Sequence, residues 1–335
     1  MYESVLMVAM EAGSASYLAP LIANLNDSGN TSYRLYASDV ALDKLKSLGF
    51  HQDSRFFRYA DLKSFSASIS NWNYSIAILS ATGHSIEKYV IEKSRRRSVR
   101  SVGFVDTYSP LLPRFTSCGE ISFPDRIFLI DEEMLGFASD QGLPSDRLML
   151  IGQPSWEMLD PAPTAPEENV LFVDQPVRKF YGDSLGYDEV SAWSLVHKAV
   201  QFGFFGAKKL GFLPHPTSSS MTLGAFSEVL NPDNPALVIE DGADCLEDYG
   251  TVVGMFSSLL IEAFLMSKTV LSVQPGLPPH DVFELSRRGW VNRVGFPESF
   301  SSMMRTTEEF PLARRFSDSM QGSLINLITA LRELV

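Results

Sequence analysis

A few chemistry-capable side chains in this chain fall where an apolar run gives way to a turn. His215 follows the run Lys209-Leu210-Gly211-Phe212-Leu213 and is flanked by Pro214 and Pro216. The prolines fix the local backbone and withhold N–H donors, so the imidazole is held at a strand end. From there it can donate a hydrogen bond to a phosphate or act as a general acid. Thr217-Ser218-Ser219-Ser220 come next. Ser257-Ser258 lie between the apolar run Thr251-Val252-Val253-Gly254-Met255 and a helical pattern reaching about Met266. A hydroxyl and the first free N–H groups of a helix then point the same way, which suits an oxyanion or a phosphate. The same serines also read as an ordinary helix N-cap. Glu262, one turn inside that helix, can accept a sugar diol or make an intrahelical polar contact.

The first half offers a parallel shortlist. Ligands of open α/β sheets bind beyond the carboxyl ends of the strands. The residues just past the apolar runs are Glu11 to Ser16, Thr82 to His84, Asp106 to Tyr108, and Asp131 with Glu132. In the second half the same rule adds Gln175-Pro176 and the turn Glu240-Asp241-Gly242. Several other chemistries are excluded by missing motifs. No glycine-rich P-loop ends in Lys-Ser or Lys-Thr, and Gly13 stands alone after the first strand where a dinucleotide fingerprint needs three glycines. No nucleophile elbow of the G-x-S-x-G type occurs. His51, His84, His197, His215 and His280 are scattered and no H-E-x-x-H occurs, so no dedicated metal site is expected. Cys118 and Cys245 sit in unrelated segments, which argues against a disulfide framework.

Those residues need a scaffold, and the hydrophobic pattern supplies one. Apolar runs at 4–10, 33–37, 75–80, 101–106, 126–130 and 148–151 alternate with amphipathic stretches, the pattern of a doubly wound sheet. Glu11 to Ser16 reads as a small-residue turn, Tyr17 to Leu25 as a helix, and Asp39 to Leu48 as a helix closed by Gly49. Then Asp160-Pro161-Ala162-Pro163-Thr164-Ala165-Pro166 interrupts the alternation with an extended, semi-rigid segment. The βα pattern restarts with runs at 169–174, 209–213, 236–239, 251–255 and 269–273 and a helix over 187–201. From Leu312 onward the tail reads as an amphipathic helix with Leu324, Ile325, Leu327, Ile328 and Leu331 on one face. The expected organisation is a first domain over 1–157, a linker over 158–168 and a second domain over 169–335 closed by the C-terminal helix. Both domains are expected to be Rossmann-like α/β/α layers facing a central cleft.

Composition narrows the partners. The chain has 335 residues, 45% of them hydrophobic and 20% charged, so it is neither disordered nor collagen-like. Its apolar runs are all broken well short of the roughly 18–20 residues a membrane span needs. The N-terminus lacks a basic region ahead of its apolar run, which reads as a strand and suggests a cytoplasmic protein. A net charge of −12 opposes non-specific nucleic-acid binding, which requires clustered Lys and Arg. The run Lys93-Ser94-Arg95-Arg96-Arg97-Ser98-Val99-Arg100 reads as a solvated helix end. Its alternative reading is contact with a phosphorylated or lipid-linked substrate, or peripheral contact with an anionic membrane surface.

Leu213-Pro214-His215-Pro216, followed by Ser257-Ser258 at a strand-to-helix turn, resembles the donor half of bacterial sialyltransferases and polysialyltransferases. Related capsule enzymes that use CMP-activated keto sugars look similar. The resemblance implies a two-domain, metal-independent glycosyltransferase of the GT-B type, acting on a cell-surface polysaccharide or glycolipid acceptor. It also implies that His215, Pro216, Ser257 and Ser258 bind the nucleotide phosphate, with His215 assisting the departing nucleotide. A nucleotide sugar would be co-substrate, a CMP-sugar first and a UDP-sugar second, with no further cofactor. Gly103-Phe104-Val105-Asp106-Thr107-Tyr108, Phe123-Pro124-Asp125-Arg126-Ile127 and Ile151-Gly152-Gln153-Pro154 look more loosely like proteins akin to UDP-N-acetylglucosamine 2-epimerase. The glycine-rich turn of those epimerases is replaced here by Ser257-Ser258-Leu259-Leu260-Ile261-Glu262. Sialyltransferases carry an acidic-acidic-Gly motif ahead of His-Pro, whereas Glu240-Asp241-Gly242 comes after it and reads as a strand-end turn. The catalytic base is therefore sought in the first half. Asp106 is the first choice, with Glu11 and His84 in reserve and Ser14 on the same acceptor side. An epimerase-like nucleotide-sugar enzyme, or a GT-B protein that binds without turnover, are the alternatives.

Overall fold

The computed structural model describes residues 4–29, 31–51, 53–159, 168–204, 209–215, 218, 237–240, 243–302 and 309–334. The chain divides into two compact units, Met1–Met158 with Ser319–Val335, and Leu159–Asp318.

The first unit is built on strands β1 (Ser4–Ala9), β2 (Ser32–Ala37), β3 (Phe56–Arg58), β4 (Ile76–Ser80) and β5 (Arg100–Phe104). A short hairpin follows, β6 (Thr116–Ser117) with β7 (Glu120–Ile121), and then β8 (Arg126–Leu129) and β9 (Leu148–Leu150). Seven of these form one sheet in the order β3-β2-β1-β4-β5-β8-β9, every neighbouring pair parallel. Parallel neighbours need crossover connections, and the crossing helices cover both faces of the sheet. That is why β4 is buried along its whole length and β1 at every residue after Ser4. Helix Ala12–Ser28 packs on one face, with Tyr17 stacked on Phe104 at 4.1 Å between ring centroids.

The second unit repeats the plan with β10 (Asn169–Val173), β11 (Lys209–Leu213), β12 (Leu237–Ile239), β13 (Thr251–Gly254), β14 (Thr269–Val273) and β15 (Asn292–Val294). Their order is β12-β11-β10-β13-β14-β15, again all parallel. This is the strand order of a dinucleotide-type Rossmann sheet. Trp193, on helix Glu189–Gln201, seals its core between Phe172 and Phe212, each 5.2 Å away ring to ring. No described helix in either unit is long and apolar enough to cross a membrane.

Several local expectations change. The small-residue turn expected at Glu11–Ser16 is the first turn of helix Ala12–Ser28, which also runs through Pro20. The single tail helix is two, Glu309–Met320 and Ser323–Glu333, divided at Gly322. Ile325 points away from the apolar face and is exposed, while Leu327 and Leu331 are buried. The last helix does not close the second unit, as expected from its place in the chain; it belongs to the first. Leu327, Ala330 and Leu331 enter the same core cluster as Leu18, Ile22 and Ile151. Glu157 caps the helix from the first unit, its two carboxylate oxygens accepting the N–H groups of Gly322 and Leu324, each at 2.9 Å. A carboxylate there satisfies two orphan donors and complements the helix dipole. Gly152, at φ +96°, leaves room for the Ser323 hydroxyl where a Cβ would clash. The basic run does end a helix, Ser85–Arg96, and its charges are partly tied down. Arg97 donates to the Trp72 and Ser70 carbonyls, and Arg95 to that of Phe123.

The turn after β4 is organised around one buried carboxylate. Glu87 accepts hydrogen bonds from the Ser80 hydroxyl at 2.6 Å, the Thr82 hydroxyl at 2.7 Å, and the N–H groups of Thr82 and His84. Burial nevertheless raises its pKa from 4.5 to about 7, against the lowering effect of those four bonds.

Two expectations follow. Glu157→Ala should cost about 1–2 kcal/mol, the usual range for a lost cap. Hydrogen exchange should then rise over residues 319–334 and leave the second sheet unchanged; exchange rising equally in β10–β14 would contradict the assignment of the tail. Between pH 4.5 and 7, folded Glu87 keeps a proton that the unfolded chain has released. Stability therefore falls as pH rises through that window, by up to about 3 kcal/mol. Glu87→Gln keeps the acceptor and cannot titrate, so wild type should lose stability relative to the variant from pH 5 to 8 in urea titrations. A difference that stays constant with pH would rule the effect out.

Candidate functional site

In each unit the strand order reverses at one pair, β1 with β4 and β10 with β13. The carboxyl edge beside that reversal is where open α/β sheets place ligands.

The second unit concentrates its polar groups on that edge. Ser257 caps helix Ser258–Leu265, its hydroxyl oxygen accepting the Leu259 N–H at 3.3 Å. The N-cap reading of Ser257 is thus the one its own contacts support, and Ser258 is the first helical residue. The helix N-terminus brings partial positive charge with it. Glu262 lies one turn further in and is half-buried. His215 follows β11, on the far side of β10 from β13. Two strand spacings, about 10 Å, therefore separate the His215 and Ser257 positions along the edge.

The two residues that follow β10 join these sides. The Gln175 side-chain oxygen accepts the N–H of Phe256, one residue before the capping serine, at 3.2 Å. Asp174 takes the Ser218 hydroxyl at 2.5 Å and the His215 N–H at 3.4 Å, both on Oδ2. The Ser218 N–H in turn donates to the His215 carbonyl at 2.8 Å. Desolvation, with the Lys179 charge adding to it, holds the His215 imidazole below its ordinary pKa. Tyr181 meets Phe256 edge to face at 5.5 Å. Pro216, Asp241 and Gly242 lie outside the described residues. Glu240 is engaged away from this cluster, by the Tyr249 hydroxyl and by Lys209 at 3.2 Å.

The edge of the first unit brings Glu11, Ser14 and Asp106 together. Asp106 is 4% exposed and ion-paired with Arg114 at 3.0 Å. Its other oxygen accepts the Ser14 hydroxyl at 3.4 Å, and its backbone carbonyl accepts the Gln153 amide at 2.8 Å. The carboxylate comes so close to the helix that a Cβ on Gly13 would lie 2.6 Å from Oδ2. Arg114 also donates to the Ala81 carbonyl at 2.7 Å and the Ser109 hydroxyl at 2.6 Å, which ties the ends of β4 and β5. Glu11 is the more open carboxylate of the pair. Desolvation of its carboxyl raises its pKa, the Asp106 charge raises it further, and Arg114 opposes both. His84 sits one strand away, before helix Ser85–Arg96, with its ring edge-on to Tyr59 at 5.4 Å. Desolvation lowers its pKa. A cavity of about 20 Å³ beside this turn, bounded by Ser80, Gly83, Glu87, Arg114 and Pro124, has room for one water and none for a nucleotide.

Two residues escaped the sequence reading. Asp174 closes a wholly apolar run, and a charged residue directly after such a run in a central strand is a usable signal. Arg114 follows Pro110 and Pro113 in an aperiodic stretch, and nothing local couples it to Asp106.

No protein-family model matches the chain, and no curated protein matches its sequence. Solved structures do resemble it. S. aureus MnaA, in its complex with UDP, superposes with a TM-score of 0.67 at 11% identity, over 99% of this chain and 98% of that one. UDP-GlcNAc 2-epimerase from Neisseria meningitidis, bound to UDP-GlcNAc, gives 0.62 at 10% identity, over 98% and 100%. MurG from Acinetobacter baumannii gives 0.56 at 10% identity, over 99% of each chain. The likeness runs the length of the chain and gives it the GT-B fold of two Rossmann-like units.

Proposed function

We propose that the chain is a nucleotide-sugar enzyme whose second unit holds the nucleotide of a UDP-sugar. The observation that carries this is the carboxyl edge of the second sheet. There Asp174-Gln175 ties the His215 side to the helix opened by Ser257, next to the β10–β13 reversal. Helix N–H groups and the two serines would hold the phosphates, and His215 would donate to a phosphate oxygen.

The donor expected first, a CMP-activated keto sugar, gives way to a UDP-sugar, because similar structures were solved with UDP and UDP-GlcNAc bound. Chemistry of the 2-epimerase type is our first reading. It needs carboxylates that can exchange a proton, and Glu11, whose pKa is raised by desolvation and by the Asp106 charge, is the candidate in the first unit. Asp106, enclosed and salt-bridged, would set the charge around Glu11. Transfer of the sugar to a glycan or glycolipid acceptor is the second reading. It is favoured by the Ser257-Ser258-Leu259-Leu260 turn, which lacks the glycines of the epimerases.

Thermal-shift titration with UDP, CMP and GDP tests the nucleotide. UDP at a hundredfold excess over its Kd should stabilise the protein by about 3 kcal/mol. His215→Ala should weaken UDP by about tenfold or more, the scale of one charge-assisted hydrogen bond. A response to CMP alone would restore the first expectation, and no response to any nucleotide would end both enzyme readings. Proton NMR of UDP-GlcNAc incubated with the protein then separates the chemistries. A 2-epimer signal, lost in Glu11→Gln, supports the first reading; UDP release only when a glycan acceptor is added supports the second.

A further inference from the structure

Asp174 is an expensive residue to keep where it stands. It is 1% exposed, and its described partners are neutral donors rather than a cation. Its Oδ1 has no hydrogen-bond partner among the described residues. A buried carboxylate without a counter-charge costs several kcal/mol, and an apolar side chain in its place would serve the core better. Desolvation raises its pKa and the neighbouring Glu189 adds to that, so the group is more readily neutral than an ordinary aspartate. A neutral carboxyl is also the form that repels a phosphate least.

What the residue gains is geometry. Oδ2 alone gathers the backbone of His215 and the hydroxyl of Ser218 onto the end of β10, the central strand. The next residue, Gln175, fixes the opposite side through Phe256. We propose, on the basis of the UDP-sugar reading, that Asp174 is the positioning residue of the nucleotide edge. It locks the His215 backbone and Ser218 into one register, so that the imidazole meets the phosphate of the ligand from a fixed backbone. It touches no reacting atom itself.

The test measures UDP affinity calorimetrically in the wild type, Asp174→Ala, Asp174→Asn, Ser218→Ala and the Asp174→Ala/Ser218→Ala pair. Asp174→Ala should weaken UDP about tenfold, the size of one lost hydrogen-bonding centre to a charged group. Asp174→Asn keeps an acceptor oxygen and should recover affinity to within about threefold of wild type, a rescue that mere filling of space would not require. The double variant should bind no worse than Asp174→Ala alone, since both changes break the same contact. Wild-type affinity in Asp174→Ala overturns the proposal, as does an Asp174→Asn protein that is folded yet equally impaired. If Asp174→Ala does not fold, Ser218→Ala decides: weakened UDP binding upholds the register and unchanged binding overturns it. Wild type that ignores UDP removes the functional reading and this proposal together, whereas tight wild-type binding with indifferent variants removes only the role of Asp174.

Discussion

Parallel strand pairing is the constraint on which everything else in this chain depends. A parallel sheet cannot be closed by hairpins, so each strand must be followed by a crossover, and crossovers cover both faces. Two consequences follow at once. The strands become continuous apolar runs, and every strand ends on the same edge. Polar side chains excluded from the strands then accumulate at the carboxyl ends, where the sheet interior meets the turns. Both units obey this rule, and their candidate groups lie on that edge for a reason that precedes any particular chemistry.

The same constraint explains why these edges carry buried carboxylates. Asp106 and Asp174 sit just past strand ends, Glu87 lies in the first turn of the helix after β4, and all three are enclosed. Each is stabilised differently. Glu87 has four neutral donors and binds its proton more tightly because burial desolvates it. Asp106 has Arg114 and serves as the joint between the turn after β4 and the end of β5. Asp174 has two donors on one oxygen and none described on the other. A fully satisfied carboxylate secures a turn, whereas a half-satisfied one keeps unused hydrogen-bonding capacity at the edge. That difference sets Asp174 apart from the other two.

Much of the fold was legible because burial on two faces leaves a plain mark. The strands over 209–213 and 269–273 match the apolar runs end to end. Short edge strands such as β3 and β15 went unread, since three residues with half-buried positions have no periodicity to recognise. Helix Ala12–Ser28 starts earlier than its composition suggests; the glycine and small side chains of its first turn mark the close approach of Asp106, not a loop. The tail was assigned to the wrong unit because amphipathicity reports that a face is buried and not what buries it. Its partner is fixed by Glu157 and Gly152, distant in sequence. At the candidate site, strand-end position placed His215, Ser257 and Glu11 from sequence. The side chains that bond there across strands, Asp174 to His215 and Ser218 and Arg114 to Asp106, act through contacts that no local pattern encodes.

The overall charge of −12 sharpens what the second edge must accomplish. On the proposed reading a nucleotide sugar would bring further negative charge toward a protein that already repels it, so long-range steering would not supply the attraction. Short-range donors can, because a helix N-terminus and hydroxyls act within the first shell, where screening is weakest. An edge built that way benefits when its own acid is neutral, and desolvation moves Asp174 in that direction. On the proposed reading, the burial that makes the carboxylate costly is also what would let it stand beside a phosphate. Replacing it with a permanently charged, solvated aspartate elsewhere on the edge would keep the charge and lose the register.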